Sequence, residues 1–450
     1  MLLALTLAAS AAQSGTTARR ITWNAVEPLH APLSSRGLTA ASFDAFVDRT
    51  SRRNAARVAE GDLDHLVFYL LQSTTFTKLP PIEPALSAKA LVESLPASER
   101  VTFLEKGQVD QSRVPAPVRE RATAFDRALE SNSRDPRLSY FREFARTALP
   151  KKEREAALLR EYLRAMKFVY EKEFVAPRAS SPGAALADLY RTRGLSTDTA
   201  VEAGYLVHQG LAIVKALEPS RRIRRVLIVG PGMDLAPRTA LDEAGPPESY
   251  QPWAVIDALL SLKLADLGEL QVVAADINPR VVAHLDRARS RPPTLTLFTQ
   301  LRESGGVALT ADYKDYFGQL GQALAGGKQT AAVKGGHLRK TFTVGAAPAR
   351  ALQALPLDVV TERLNDAPFD LIIATNILPY FDDVELMLAM SNVAAMLAPH
   401  GVFLHNEPRP LIGEVGQPLG LDFEQSRVVT IATVSGAPPL VDSVFLHRRR

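Results

Sequence analysis

Cysteine is absent from the 450 residues. Disulfides, thiolate metal sites and cysteine nucleophiles are thereby excluded, and no metal site is assigned from the residues that remain. Excess charge is scarce too: the formal net charge is +4, small for this length. No block of basic residues is interleaved with aromatics, so nucleic-acid binding has no support, and the closing Arg448-Arg449-Arg450 reads as a solvated tail. Residues 1–12, MLLALTLAASAA, are uncharged and apolar but too short for a stable bilayer anchor, so no stable transmembrane helix is expected. Ala9-Ser10-Ala11 fits a small-x-small cleavage pattern, whereas no Lys or Arg precedes the run as an export signal's n-region requires. Residues 1–20 are therefore a candidate signal segment, and both export and cytoplasmic residence stay open.

What is present is an ordinary globular balance, 46% hydrophobic and 23% charged, long enough for two or three domains. Residues 13–38 are polar and Pro-containing and read as a connector. Over 39–217 the apolar residues recur at helical spacing, as in Phe43-Phe46-Val47 and Leu63-Leu66-Val67-Leu70-Leu71. Residues 151–173 form the clearest amphipathic helix, with Leu158, Tyr162, Met166 and Val169 on one stripe. From Arg225 the period changes to alternating strands and helices, the signature of a parallel α/β sheet. Strands are expected at 226–229, 270–275, 369–375 and 402–405, with weaker candidates at 293–298 and 306–311. Residues 318–345, rich in Gly, Lys and Thr, read as a flexible surface insertion. Two alternating strands at 427–434 and 441–447, joined by a short loop, must pair antiparallel. The expected architecture is an α-helical region over 21–217 followed, over 218–450, by a Rossmann-like, seven-stranded, mostly parallel sheet ending in an antiparallel hairpin.

The chemistry is expected at the carboxyl ends of these strands. The first strand, Val226 to Val229, stops at Gly230-Pro231-Gly232, where two residues without Cβ let the backbone turn and approach a ligand. The second ends at Asp276, in AADINP, placed to accept two hydrogen bonds from ribose hydroxyls; Asp276 or Asn278 before Pro279 would equally suit a helix N-cap. After the third candidate strand comes Asp312-Tyr313, an acceptor for an exocyclic amine beside a ring, or else a surface acid and a core tyrosine.

In this order the motifs VLIVGPG, AADINP, FDLIIATNILPYFD and MLAPHGVFLHNE, with the terminal hairpin, resemble the class I S-adenosylmethionine-dependent methyltransferases. The run ATNILPYFDD followed by LAPHGVFLHNE is similar to the chemotaxis-receptor glutamate methyltransferases within that class. The resemblance covers 225–450, about half of the chain. It implies S-adenosylmethionine as cofactor, a small-molecule or protein methyl acceptor, and a cofactor site of Gly230, Gly232, Asp234, Asp276, Ile277, Asp312 and Tyr313. It implies a catalytic edge of Asn376, Tyr380, His405 and Glu407: an amide acceptor, a ring face for a sulfonium, a base near neutral pH, and a strand-end acid. His405-Asn406-Glu407 also reads as a strand-end cap. The sequence departs from the family at Ile228, where an acid is usual, and at Asp234, which takes the third glycine's place. Asp276 also lies 46 positions beyond Gly230, where dinucleotide-binding units have about 20.

Two rivals stand beside this reading. A nicotinamide dehydrogenase would need a last glycine where Leu235 stands. A non-catalytic binding module on the same fold needs no intact reaction centre, and export would favour it, because the cofactor is made inside cells.

Overall fold

The computed structural model describes residues 16–235, 246–325, 330–365 and 368–450. The candidate signal run at 1–12 lies outside the described residues, as do 236–245 of the long connection after the glycine turn.

Seven strands, labelled in chain order, form the body of the main sheet: β1 (Arg225–Val229), β2 (Gln271–Asp276), β3 (Leu352–Pro356), β4 (Phe369–Ala374), β5 (Leu397–His405), β6 (Leu421–Val434) and β7 (Ala437–Arg449). Their order is β3-β2-β1-β4-β5-β7-β6. The first five are parallel neighbours, and β7 runs antiparallel to both β5 and β6. The sheet has eight strands rather than the expected seven, because the short strand Val307–Leu309 pairs with the free margin of the long β6. It covers residues 432–434 of that margin.

The apolar runs are explained by burial on both sides. Val226 and Ile228 enter one buried cluster while Leu227 and Val229 enter the other, and β4 divides likewise, with Leu371 and Ile373 opposed to Ile372 and Ala374. Strand order reverses between β1 and β4. Their tips are therefore the switch point at which an open α/β sheet leaves a ligand crevice.

The third parallel strand is not where the sequence suggests. Thr294–Phe298 leaves the main sheet and pairs with His337–Thr343, which pairs with Thr330–Lys334 in a separate three-stranded antiparallel sheet. Much of the stretch read as a surface insertion is thus a β-hairpin. The true third strand is LQALP, an edge strand whose middle is only half buried, so it carries no continuous apolar run.

Six helices matter for the site: α1 (Ala40–Gln72), α2 (Arg154–Tyr170), α3 (Val201–Leu217), α4 (Gln251–Ser261), α5 (Pro279–Ser290) and α6 (Asp383–Met396). The N-terminal helices share their core with the sheet: Leu66, Phe125 and Tyr162 belong to the same buried cluster as Ile228 and Leu404. The 33-residue α1 is about 50 Å long at 1.5 Å per residue. Phe43 and Val47 near its start are buried on one side of the sheet, with α6; Leu66 to Leu71 near its end are buried on the other, with α3 and α4. It therefore crosses over the strand tips. The two apolar patches legible in the sequence are one helix, whose middle buries Asn54, Arg57, Asp62, Asp64 and His65. A Thr39–Ser42 capping box starts the helix. The fully buried Arg121 guanidinium donates to the Leu70 carbonyl near its end at 2.7 Å.

Residues 193–199 form a strap against the middle of α1. The Leu195 N–H donates to the Arg57 carbonyl at 2.8 Å. The approach is backbone to backbone: a Cβ on Gly61 would stand 1.9 Å from the Leu195 oxygen, and one on Gly194 would stand 2.5 Å from the Gly61 nitrogen. In an isolated helix Gly→Ala gains about 1 kcal/mol. Gly61→Ala is expected to do the opposite here, lowering the melting temperature and speeding hydrogen exchange at the amides of Leu195 and Met233, since the strap must move off. Unchanged protection at those amides together with raised stability would refute this packing.

Candidate functional site

The site is built from the tips of β3, β2, β1 and β4, in that order. β1 ends in Gly230-Pro231-Gly232, and both glycines are left-handed, with φ of 67° and 68°. The close approach they permit is made first by the protein itself. A Cβ on Gly230 would meet the Ile377 side chain at 2.5 Å, and one on Gly232 would meet the Thr197 oxygen and the Thr199 hydroxyl at 2.2 Å. The Met233 N–H donates to the Thr197 carbonyl at 2.7 Å, and the Thr199 hydroxyl donates to the Pro231 carbonyl at 3.1 Å. The strap is thereby tied to the glycine turn.

Asp276, at the tip of β2, is 5% exposed. One of its oxygens accepts from the Gly232 N–H at 3.2 Å and the other from the Asn278 N–H at 2.8 Å. Burial pushes its carboxyl up to about 6, and the nearby Asp62 pushes the same way, against the backbone donors. The helix-cap role falls to Asn278, whose Oδ1 accepts from the Arg280 N–H at 2.9 Å. The Asn278 amide also donates to Asp62 at 3.0 Å, and Arg280 donates to the other Asp62 oxygen at 2.7 Å. These bonds join α1 to the start of α5.

At the tip of β3 stands Asp358, which sequence reasoning did not select. It accepts from the Asn54 amide at 3.1 Å and from the Val360 N–H at 3.0 Å, and burial raises its carboxyl above the ordinary range. Asp312 and Tyr313, expected at this position, are elsewhere. They lie on the helix Ala311–Gln319; Asp312 is exposed, and the buried Tyr313 donates to Glu202 at 3.1 Å. The displacement follows from the misplaced third strand. Asp234 is also outside the cleft, its N–H donating to the Glu248 carbonyl at 2.9 Å in a short bridge beyond the glycine turn.

On the β4 side, Asn376 is exposed with φ of 62°, a left-handed conformation that Asn tolerates better than most residues. It is fixed reciprocally by Asn406. The Asn376 backbone N–H donates to the Asn406 side-chain oxygen at 2.9 Å, and the Asn406 side-chain amide donates back to the Asn376 side-chain oxygen at 2.7 Å. Tyr380 is buried at the cleft, edge-on to Tyr190 at 5.3 Å, with the Arg57 guanidinium 5.8 Å from its ring centre. A ring so accompanied already has a cation near it.

His405 and Glu407 do not enter the cleft. The His405 Nδ1 accepts from the Glu407 N–H at 3.2 Å, which leaves its Nε2 as donor to the His447 Nδ1 at 3.1 Å. Both rings are buried, and burial holds His405 well below the usual imidazole range and His447 at about 4. Both His405 ring nitrogens are thus engaged within the sheet, away from the cleft where a base was expected, and burial disfavours its protonation. Glu407 accepts from Arg409 Nε at 3.2 Å; Arg409 in turn donates to the Phe381 carbonyl at 2.8 Å and the Leu378 carbonyl at 2.5 Å. Glu407 thus holds the loop after β4 from behind.

The cleft brings together Gly230, Gly232, Asp276, Ile277, Asn376 and Tyr380 of the expected residues, and adds Asn54, Thr197, Thr199 and Asp358. It is narrow, with about 80 Å3 of room for water. At Val58, Ile277, Leu357 and Asp358 it adjoins a wider hollow of about 500 Å3. A trace of Asp358 was in the sequence, in LQALPLDVV: a mostly apolar stretch, interrupted by Gln353, that ends in Pro-Leu-Asp. Nothing in the sequence singled out Asn54 or Thr197.

A doubly wound sheet with its cleft at the switch point, a glycine turn after the first strand and an acid at the tip of the second define an α/β fold of the Rossmann-like class. Within that class, the antiparallel β5-β7-β6 end and the strand motifs are those of the class I S-adenosylmethionine-dependent methyltransferase fold. No family model and no curated protein matches the chain. Solved structures do. The N-methyltransferase NodS from Bradyrhizobium japonicum WM9, in complex with S-adenosyl-L-homocysteine, is similar at 13% identity over 54% of this chain and 85% of its own, with a TM-score of 0.28. Magnesium protoporphyrin IX methyltransferase from Synechocystis PCC 6803, with bound S-adenosylmethionine, is similar at 10% identity over 61% and 99%, with a TM-score of 0.29. A TehB-like S-adenosylmethionine-dependent methyltransferase from Corynebacterium glutamicum is similar at 13% identity over 54% and 97%, with a TM-score of 0.24. The fold assignment rests on strand order and polarity.

The histidine pair makes stability depend on pH. Both folded imidazoles titrate below the unfolded value near 6.5, so their contribution is complete above about pH 6.5 and is lost as pH falls toward 4. For His447 alone the loss is on the order of 3 kcal/mol. The melting temperature of the wild type should fall over this range more steeply than that of a His405→Phe, His447→Phe double variant. Equal slopes would exclude the pair as the cause.

Proposed function

We propose that this protein transfers a methyl group from S-adenosylmethionine to a small-molecule or protein acceptor at the cleft over β1, β2, β3 and β4. The observation that carries the reading is the meeting of Gly230, Gly232, Asp276 and Asn376 at the switch point, with Asp358 beside them. The residues fit the cofactor. The Asp276 carboxylate accepts backbone N–H groups of Gly232, Ile277 and Asn278, and its two oxygens still have capacity for a ribose hydroxyl. Ile277 and Leu357 give an apolar floor next to the Asp358 carboxylate, suited to a purine. When bound, the cofactor supplies an electrophilic methyl on a sulfonium. An in-line displacement then asks the protein for position and water exclusion more than for a base. Asn376, locked by Asn406, and Tyr380, held beneath Arg57, supply that position; His405 and Glu407 support the strand ends behind them. The cleft itself offers about 80 Å3, and the adjoining hollow of about 500 Å3 at Ile277, Leu357 and Asp358 gives the further room a nucleoside needs. The engagement of His405 and Glu407 away from the cleft also suits a second reading, a binding module without turnover.

Titration calorimetry with S-adenosylmethionine tests the assignment. Asp276→Ala is expected to weaken binding by about 1.5–3 kcal/mol for each charge-assisted bond lost. Wild-type affinity should decline as pH falls through about 6, where the Asp276 carboxyl takes a proton. Unchanged affinity in Asp276→Ala would sink the assignment. Cofactor binding without methyl transfer to any acceptor of a broad panel would favour the module.

A further inference from the structure

Two buried polar atoms at the cleft have no hydrogen-bond partner among the described residues, and neither belongs to the α/β half. They are the side-chain oxygen of Asn54, on α1, and the hydroxyl of Thr197, on the strap. Asn54 is 1% exposed and Thr197 7%. An orphaned polar atom so deeply buried costs about 1–3 kcal/mol, and buried groups of this kind are otherwise almost always paired. Their orientations are fixed by what the same residues do bond. The Asn54 amide nitrogen donates to the Asp358 carboxylate at 3.1 Å, so its oxygen is the end left over. The Thr197 backbone is used on both sides, its N–H donating to the His65 Nε2 at 3.2 Å and its carbonyl accepting from Met233 at 2.7 Å.

Their places along the cleft differ. A ligand with its ribose at Asp276 extends one way to the β3 tip, where Asn54 meets Asp358, and the other way to the glycine turn, where Thr197 lies against Gly232. We propose that the helical N-terminal region completes the cofactor site. Asn54 accepts a hydrogen bond from an N–H or O–H of the nucleoside end, and the Thr197 hydroxyl bonds the amino-acid end. This rests on the methyl-transfer reading and adds to it: α1 and the strap touch the cofactor itself.

Calorimetry of the full chain with two probes separates the ends: S-adenosylhomocysteine, and 5′-methylthioadenosine, which lacks the amino-acid end. Asn54→Leu should weaken both ligands about 10-fold, and Thr197→Val should weaken S-adenosylhomocysteine about 10-fold while leaving the nucleoside probe unchanged, as expected for one buried hydrogen bond each. Asn54→Ala replaces Asn54→Leu if the latter does not fold. Variants that melt like the wild type and bind both probes with wild-type affinity overturn the proposal, and so does a Thr197→Val that weakens both probes alike. If the wild type binds neither probe, the methyl-transfer reading fails first and this inference with it.

Discussion

The structure depends on one helix crossing from one core to the other. α1 is anchored by Phe43 and Val47 on one side of the sheet and by Leu66 to Leu71 on the other. Its position over the strand tips is therefore set at both ends by buried apolar area, the strongest term available. What lies between the anchors is forced into contact with the cleft. Arg57 donates to three carbonyls, those of Arg193, Tyr190 and Tyr380. Asp64 pairs with Arg164 at 2.9 Å and with Arg193 at 3.1 Å. These bonds draw the strap, the loop after β4 and α2 onto one helix.

The same arrangement concentrates negative charge where water is excluded. Asp62, Asp276 and Asp358 are all buried, and burial raises each carboxyl. A buried charge is tolerated only when paired or richly hydrogen-bonded. Asp62 has Arg280 and Asn278 for this, whereas Asp276 has backbone N–H groups alone. For Asp276, with a folded value near 6 above its unfolded one, ionisation favours the unfolded chain as pH rises through that range. An acid kept at such a cost in a cleft fits the binding role proposed for it.

The sequence was legible where chemistry and burial coincide. β1, β2 and β4 are apolar on both faces, so their tips, with Gly230, Gly232 and Asp276, could be placed from the apolar runs, and Asn376 from the family resemblance those runs carry. β3 could not, because an edge strand half open to solvent loses the apolar run that marks it, and Asp312-Tyr313 took its place. His405 was misread for a related reason. Its neighbours along the chain are a strand end and an acid, but its partner is His447, which pairing of β5 with β7 brings beside it. The polar middle of α1 was the least legible part. Asn54, Asp62 and His65 look like a solvated helix face until the strand tips are laid against them.

The crossing of α1 also has a consequence during synthesis. Asn54 and Asp358 are 304 residues apart in the chain, a separation that takes about 15–60 s to translate at 5–20 residues per second. Through that interval the helix can bury neither its polar middle nor its first turns, because the sheet they rest on does not yet exist. The first turns of the helix thus wait, with Phe43 and Val47 short of their core, for the last third to emerge, while Tyr69 near its end can already meet Phe125 and Phe141. In a chain built this way the start of α1 gains its full core only once β4 and α6 have been made.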